Sequence, residues 1–341
     1  MKKTKYVVIT TISSDDTYMV GKLIGFLENN DITAIIVGDK KTPEWKSHPN
    51  IDYLSVEDQE LFWPKLAQRT PYNHYSRKNF GYLRAVSLGA QSILDTDDDN
   101  FPTSDPWQIE LDSYRIISKQ DWINVYRYFG EQYLWPRGLP LSKANEKLEI
   151  PLESKNLKEI SCFQSLVDGD PDIDAIGRML FPSSVTFQES TPILLANGIC
   201  PTNSQATIWK SWCLPLLYLP SYVPFRLTDI WRGLIAQPAI RALGGNTFFG
   251  KLGFYQFRNP HDLKKDFQSE ISGHLFSELV LEVSEEVWKN SFYTRDSLSI
   301  IDGIKKVYSQ LVEHNVVNSN ELQVLDAWCK SVIEINPKLM N

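Results

Sequence analysis

The densest chemistry in the chain lies in Gln91-Ser-Ile-Leu-Asp-Thr-Asp-Asp-Asp-Asn-Phe-Pro-Thr-Ser-Asp-Pro106. Ile93 and Leu94 close an apolar run, and Asp95, Asp97, Asp98 and Asp99 follow at once. Carboxylates this close raise one another's pKa unless a cation sits among them. Strand alternation would turn Asp95, Asp97 and Asp99 to one face. Carboxylate oxygens at a strand-to-loop edge suit a hard divalent ion, Mg²⁺ or Mn²⁺, that keeps positions open for substrate phosphate oxygens.

Several readings compete for this cluster. An EF-hand loop opening at Asp95 needs Gly at its sixth position and Glu at its twelfth. Asn100 and Pro106 stand there, which excludes it. A phosphatase with a nucleophilic Asp needs Asp-x-Asp-x-Thr/Val directly after the first strand. Here the fifth residue is Asp99 and several strands come first. Asp168-Gly-Asp-Pro-Asp-Ile-Asp174 fits Gly-Asp-x-x-x-Asp and keeps that alternative open, although it reads equally well as an acidic turn. A nucleotide-sugar transferase with an Asp-x-Asp metal site needs a strand, a short acidic turn and a nucleotide-binding half upstream. The bland reading is a solvated acidic turn, and the context favours the transferase.

The elements that must position the cluster alternate. Lys5–Ile12 reads as a buried strand, followed by a helix over Thr17–Glu28 capped by Asp15 or Asp16. Strands follow at Ile32–Val37 and Ile51–Leu54, with a helix over Glu57–Gln68, another over 78–90, and then the strand into the acids. Such alternation implies a doubly wound α/β sheet, mostly parallel, with ligands at the carboxyl ends of the strands. Thr10, Thr11, Asp39 and Asp95–Asp99 fall at such ends. No GxGxxG follows the first strand, so a dinucleotide fold has no support.

The middle, roughly 107–260, is irregular and rich in Pro and aromatics. Thr228 reads as the N-cap of a helix carrying Asp229 and Arg232 in its first turn. Beyond His261 the chain reads as all helix: Leu263–Val283, a helix capped by Asp296 running to about His314, and one to Ile335 opened by an Asn318/Glu321 capping box. The expected division is a domain over 1–260 and a helical extension over 261–341, a packing or oligomer-forming appendix.

Composition bounds the rest. A chain of 341 residues with 42% hydrophobic content is long enough for a large core. A net charge of −7 argues against a nucleic-acid partner. Cys162, Cys200, Cys213 and Cys329 show neither CxxC nor zinc spacing and read as free thiols. No apolar run approaches the roughly 18 residues of a membrane helix. The start reads as a first strand rather than a signal peptide, and the chain as cytoplasmic.

Three stretches together resemble the STELLO family of glycosyltransferases. They are Arg77-Lys-Asn-Phe-Gly-Tyr82 with Gly89-Ala-x-x-Ile-Leu-Asp-Thr-Asp-Asp; Trp135-Pro-Arg-Gly-Leu-Pro-Leu141 with Asp172-Ile-Asp-Ala175; and Thr228-Asp-Ile-Trp-Arg-Gly233 with Gln256-Phe-Arg-Asn-Pro-His-Asp262. A more distant similarity is to the reversibly glycosylated polypeptides, the UDP-arabinopyranose mutases. It lies in Phe80-Gly-Tyr-Leu83, Asp97-Asp-Asp-x-Phe101, Asp105-Pro106, Arg137-Gly-x-Pro140 and Asp229-x-Trp231. The likeness runs from about residue 5 to 267 and leaves the helical tail outside.

The resemblance implies a GT-A-like fold, a nucleotide-sugar donor, UDP-linked by expectation, and Mn²⁺ or Mg²⁺. By the same resemblance Asp97 and Asp99 are the metal acids, with Asp95 beside them, and Asp39 reads the base or ribose. Arg77 and Lys78, with Asn79 next to them, face the diphosphate. Arg137 matches the mutases' sugar-carrying arginine, and Asp229 is the candidate base. Thr10, Thr11, Asp172, Asp174 and Arg232 complete the expected nucleotide-sugar set. The mutases' Tyr-His pair is replaced by Tyr255-Gln256, which leaves His261 as the candidate third metal ligand. The acceptor is open. A UDP-sugar mutase or self-glycosylating protein, and a non-catalytic nucleotide-sugar binder, remain as alternatives.

Overall fold

A computed structural model describes residues 4–30, 32–109, 111–156, 158–181, 184–257, 262–289 and 292–335. The first half alternates as expected: β1 (Lys5–Thr10), α1 (Tyr18–Asn30), β2 (Thr33–Val37), β3 (Ile51–Leu54), α2 (Val56–Phe62), α3 (Pro64–Arg69), α4 (Lys78–Ser87) and β4 (Ser92–Thr96). These four strands pair in parallel in the order β3-β2-β1-β4. The chain therefore builds outward from β1 on one side and returns to its other side with β4. That reversal is a topological switch point, where the carboxyl ends of β1 and β4 open a crevice.

The rest of the sheet is mixed. β5 (Asn100–Pro102), β6 (Tyr114–Ile117), β7 (Leu152–Ser154), β8 (Cys162–Gly169), α5 (Ala175–Leu180), β9 (Ile193–Leu195), β10 (Ala206–Lys210), α6 (Thr228–Ala242) and β11 (Thr247–Gln256) follow. β10 lies antiparallel between β4 and β8, and β8 pairs in parallel with β11. The full order is β3-β2-β1-β4-β10-β8-β11-β9-β6-β7, with β5 on β11. The result is α/β with a mixed sheet and a helical carboxyl end, in agreement with the GT-A-like expectation.

The tail forms α7 (Leu263–Lys289), α8 (Ser297–Glu313) and α9 (Glu321–Ile335). Its Val280, Ile304, Val324 and Trp328 belong to the same buried cluster as Tyr6, Val8, Phe80 and Trp231. The 1–260 and 261–341 segments thus share one hydrophobic core. Among the described residues no helix is long and apolar enough to cross a membrane, and the four cysteines are buried and unpaired.

Several local expectations fail, each for a physical reason. Thr17 Oγ1, not Asp15 or Asp16, accepts the Val20 N–H at the start of α1 at 3.3 Å, because Asp15 accepts from Lys46 N–H. The helix expected over Glu57–Gln68 is two, because Pro64 cannot continue α2 and instead opens α3. Thr228 does not cap α6: a 3₁₀ turn, Phe225–Leu227, runs straight into the helix and puts Leu227 at the cap. Glu321 forms no capping box, because its carboxylate reaches into the core and accepts from Tyr218, Ser221 and Tyr222.

Candidate functional site at the switch point

The switch-point crevice holds a cavity of about 550 Å³. Thr10 ends β1 and Thr11 follows it, Asp39 follows β2, and Asp97, Asp98 and Asp99 follow β4; all line it. Arg137, Phe225, Arg226 and Asp229 also line it, with Gln256 at the end of β11.

The acids divide into two layers. β4 ends at Thr96, so strand alternation does not carry on and Asp95 does not share a face with Asp97 and Asp99. Asp95 is wholly buried between Lys78 Nζ at 2.7 Å and Arg232 Nη1 at 2.7 Å. Burial pushes its pKa up, but the two cations outweigh burial and hold it below the usual range. Asp97 is 30% exposed at the side chain; its Oδ1 accepts from Tyr75 Oη at 2.6 Å and Lys78 Nζ at 3.0 Å. Burial raises the Asp97 pKa against the pull of Lys78 and Tyr75. Asp98 accepts from the hydroxyls of Thr11 and Ser13. Asp99 Oδ2 accepts from Gln256 Nε2 at 2.9 Å.

Lys78 is the cation that the acids demand. It opens α4 and is fully buried. Burial alone would lower its pKa, yet Asp95 and Asp97 raise it. Gly81, one turn on, lets α4 lie against the sheet, since a Cβ there would meet Val8 Cγ1 at 2.5 Å and Val37 Cγ2 at 2.7 Å.

The Arg137 part of the lining is built on a tight turn. Its turn has Gly138 at φ +87°, and Leu139 N–H donates to Pro136 O at 3.1 Å, a turn that requires Gly at that position. The guanidinium forks onto Asp172, Nε to Oδ1 and Nη2 to Oδ2, both at 2.8 Å. Nη2 also donates to Asp229 at 3.1 and 3.2 Å, and Nη1 to the Arg226 carbonyl. Burial opposes the charge, but Asp172 and Asp229 raise the Arg137 pKa well above its ordinary value. Asp229 further accepts the backbone N–H groups of Ser204 and Ile230.

Other expected site residues lie off the cavity lining. Arg77 is buried behind it, bonded to Gln59 and packed on Tyr72 and Phe80. Asn79 clamps both backbone groups of Leu219 at 2.9 Å. Arg232 holds Asp95, Tyr82 and Ser204 inside the core. Asp172 supports Arg137 from behind. Asp174 caps α5 through Gly177 N–H and accepts from Trp135 Nε1. His261 lies outside the described residues. Each of these buried groups shares a hydrogen bond with a partner distant in sequence, which first-turn position and charge alone do not reveal.

The cavity also has residues that sequence reasoning missed. Tyr75 is three positions before Lys78, on the same side of the turn leading into α4, and that spacing was the available signal. His74 lines the cavity and donates its backbone N–H to Asp39 at 3.1 Å, while Lys40 N–H takes the other Asp39 oxygen. Lys41 lines it with no ion pair among the described residues, whereas Arg226 is held by Glu270. Among the described residues no three His, Cys, Asp or Glu side chains converge as a closed metal set.

No family model matches the chain. Probable glycosyltransferase STELLO1 of Arabidopsis thaliana is 27% identical over 306 residues, 78% of this chain and 39% of that protein. Probable glycosyltransferase STELLO2 of the same organism is 26% identical over 313 residues, 80% of this chain and 41% of that protein. The chain is STELLO-like, as its motifs indicated. It spans about two fifths of the length of these curated relatives. A solved structure described as "Crystal Structure of a Mycobacterial Protein" is 10% identical at a TM-score of 0.40, covering 81% of this chain and 74% of that one.

Proposed function

We propose that the chain is a glycosyltransferase whose cavity takes a nucleoside-diphosphate sugar, with UDP as the nucleotide, through a divalent cation. The observation that carries this reading is one crevice lined by strand-end groups, the Asp97–Asp99 turn, Arg137 and Asp229 together. The names of the two similar proteins support transfer of a sugar in general.

The donor set fits a hard cation. Asp97 Oδ2 accepts no hydrogen bond among the described residues, and Asp99 lines the same cavity. Two carboxylates with phosphate oxygens and water complete the shell of Mg²⁺ or Mn²⁺. Such an ion, when bound, neutralises charge developing on the departing diphosphate. Lys41 takes over the diphosphate role expected of Arg77 and Lys78. Asp39, fixed by two backbone N–H groups, retains lone pairs for the nucleoside. Asp229 faces the cavity as the acceptor-side carboxylate, and Arg137 orients it.

Two details separate this reading from its rivals. Arg137 is committed to Asp172, Asp229 and a carbonyl, which favours transfer over a mutase reaction at the guanidinium. Asp170 pairs with Arg178 and Asp174 caps α5, so neither supports a phosphatase centre. Calorimetry with UDP and Mn²⁺ tests the reading. The parent is expected to bind, with stabilisation of about 2.7 kcal/mol at a hundredfold over Kd, and Asp97→Ala and Asp99→Ala are expected to bind at least tenfold more weakly, ~1.4 kcal/mol. Equal binding by both variants overturns the assignment.

A further inference from the structure

Two side chains converge on a single oxygen of Asp97. Tyr75 Oη donates to Oδ1 at 2.6 Å, and Lys78 Nζ donates to the same atom at 3.0 Å. Lys78 is itself immobilised by the Thr96 carbonyl at 2.6 Å, Asp95 Oδ1 at 2.7 Å and Tyr75 Oη at 3.1 Å. A carboxylate caught twice on one oxygen cannot rotate about its Cβ–Cγ bond without breaking both contacts. Its other oxygen, Oδ2, has no hydrogen bond among the described residues and belongs to a side chain on the cavity wall. Lys78 also cancels the charge of Asp95, so the internal acid does not compete for a cation.

We propose that Tyr75 and Lys78 are positioning residues that present Asp97 Oδ2 as a one-point ligand to the divalent cation of the donor complex. This rests on the metal–nucleotide reading of the cavity and deepens it. The two roles open to Tyr75 have opposite signs. A neutral hydroxyl that donates to a carboxylate draws charge from it, so losing the donor should, by charge alone, leave Asp97 a better cation ligand. Losing the orientation should make it a worse one. Partners that orient metal ligands from behind are worth about 10–100-fold in metal affinity.

Tyr75→Phe separates these cases. It keeps the ring packed 5.9 Å from Phe225 and changes no formal charge. Lys78→Met is the less useful variant, because it removes one of the two cations that neutralise Asp95 in the core. Mn²⁺ is titrated into the full chain with and without UDP. Free Mn²⁺ is read by electron paramagnetic resonance against a UDP-only blank, and circular dichroism melting checks the fold. Tyr75→Phe is expected to melt as a cooperative unit and to weaken Mn²⁺ binding at least tenfold. In an Asp97→Asn background the same substitution should have no further effect, because Tyr75 acts through Asp97. Mn²⁺ binding by Tyr75→Phe as tight as the parent's, or tighter, overturns the proposal, as does a loss that persists without the Asp97 carboxylate. A parent chain that takes up no Mn²⁺ overturns the metal reading along with it. A parent that binds Mn²⁺ beside an unaffected Tyr75→Phe overturns the positioning role alone.

Discussion

The test that reaches furthest from the cavity is Glu321→Ala. Glu321 opens α9 in the carboxyl-terminal tail and is fully buried. Its carboxylate accepts from the Tyr218 hydroxyl, from Ser221 N–H at 3.1 and 3.0 Å and from Tyr222 N–H at 2.5 Å. Truncation strands three donors. Each buried donor without an acceptor costs about 1–3 kcal/mol, and water entering the vacated space recovers part of that. The expected loss is about 3–5 kcal/mol by urea denaturation, a large share of a typical domain's stability. Glu321→Gln keeps one carbonyl acceptor and should lose about 1–2 kcal/mol. The same loop reaches Phe225 and Arg226 within a few residues, and Ser221 Oγ donates to Ser76 Oγ at 2.8 Å beside Tyr75. UDP–Mn²⁺ affinity should therefore fall in Glu321→Ala under conditions where it remains folded. A stability loss below about 1 kcal/mol would refute the anchoring role. Full destabilisation with parental UDP affinity would refute the link to the cavity.

Two further outcomes follow from the site. Burial lowers the His74 pKa below its usual 6.5, with Asp39 pulling the other way, and neutral Nδ1 accepts Ser76 N–H at 3.1 Å. A base with a depressed folded pKa contributes stability that is present above its unfolded value and lost as pH falls. The urea midpoint should decline from about pH 7.5 to 5.5, with a smaller decline in His74→Asn; identical profiles would remove the argument. Arg137→Lys cannot reproduce the fork on Asp172, and each lost charged hydrogen bond costs about 1.5–3 kcal/mol. Its melting temperature should drop and UDP-sugar should bind more weakly while UDP alone binds as before; equal weakening of both would show that this part of the lining does not touch the sugar.

What was legible in the sequence is what depends on neighbours along the chain. The β-branched runs and the amphipathic helices gave β1 to β4 and the tail, and the strand-end rule brought Thr10, Thr11, Asp39, Asp97 and Asp99 to one cavity. What was not legible depends on partners far away. Arg77, Lys78 and Asn79 read as facing a diphosphate, yet Lys78 turns toward acids 17 and 19 positions on, and Asn79 binds Leu219 across 140 residues. Glu321 spaces correctly for a capping box, but three donors near Tyr218 outbid one local N–H. The antiparallel insertion of β10 between β4 and β8 leaves no local trace, because the pairing is set by what the strands cover.

The buried acid explains why the cavity residues stand where they do. Asp95 receives one cation from each of two helices, Lys78 from α4 and Arg232 from α6. One turn earlier on each path stands a cavity residue: Tyr75 three positions before Lys78, and Asp229 three positions before Arg232. Residues three apart share a helical face, so fixing the inner cation fixes the outer group above it. The spacing between the Asp97 side of the cavity and the Asp229 side is thereby set by ion pairs that touch no ligand. Breaking such a buried pair by removing one partner costs about 3–5 kcal/mol, whereas a surface pair costs little. Lys78 and Arg232 are therefore part of the site in a sense that charge and position along the chain do not convey: they hold the two parts of the lining in register across the end of β4.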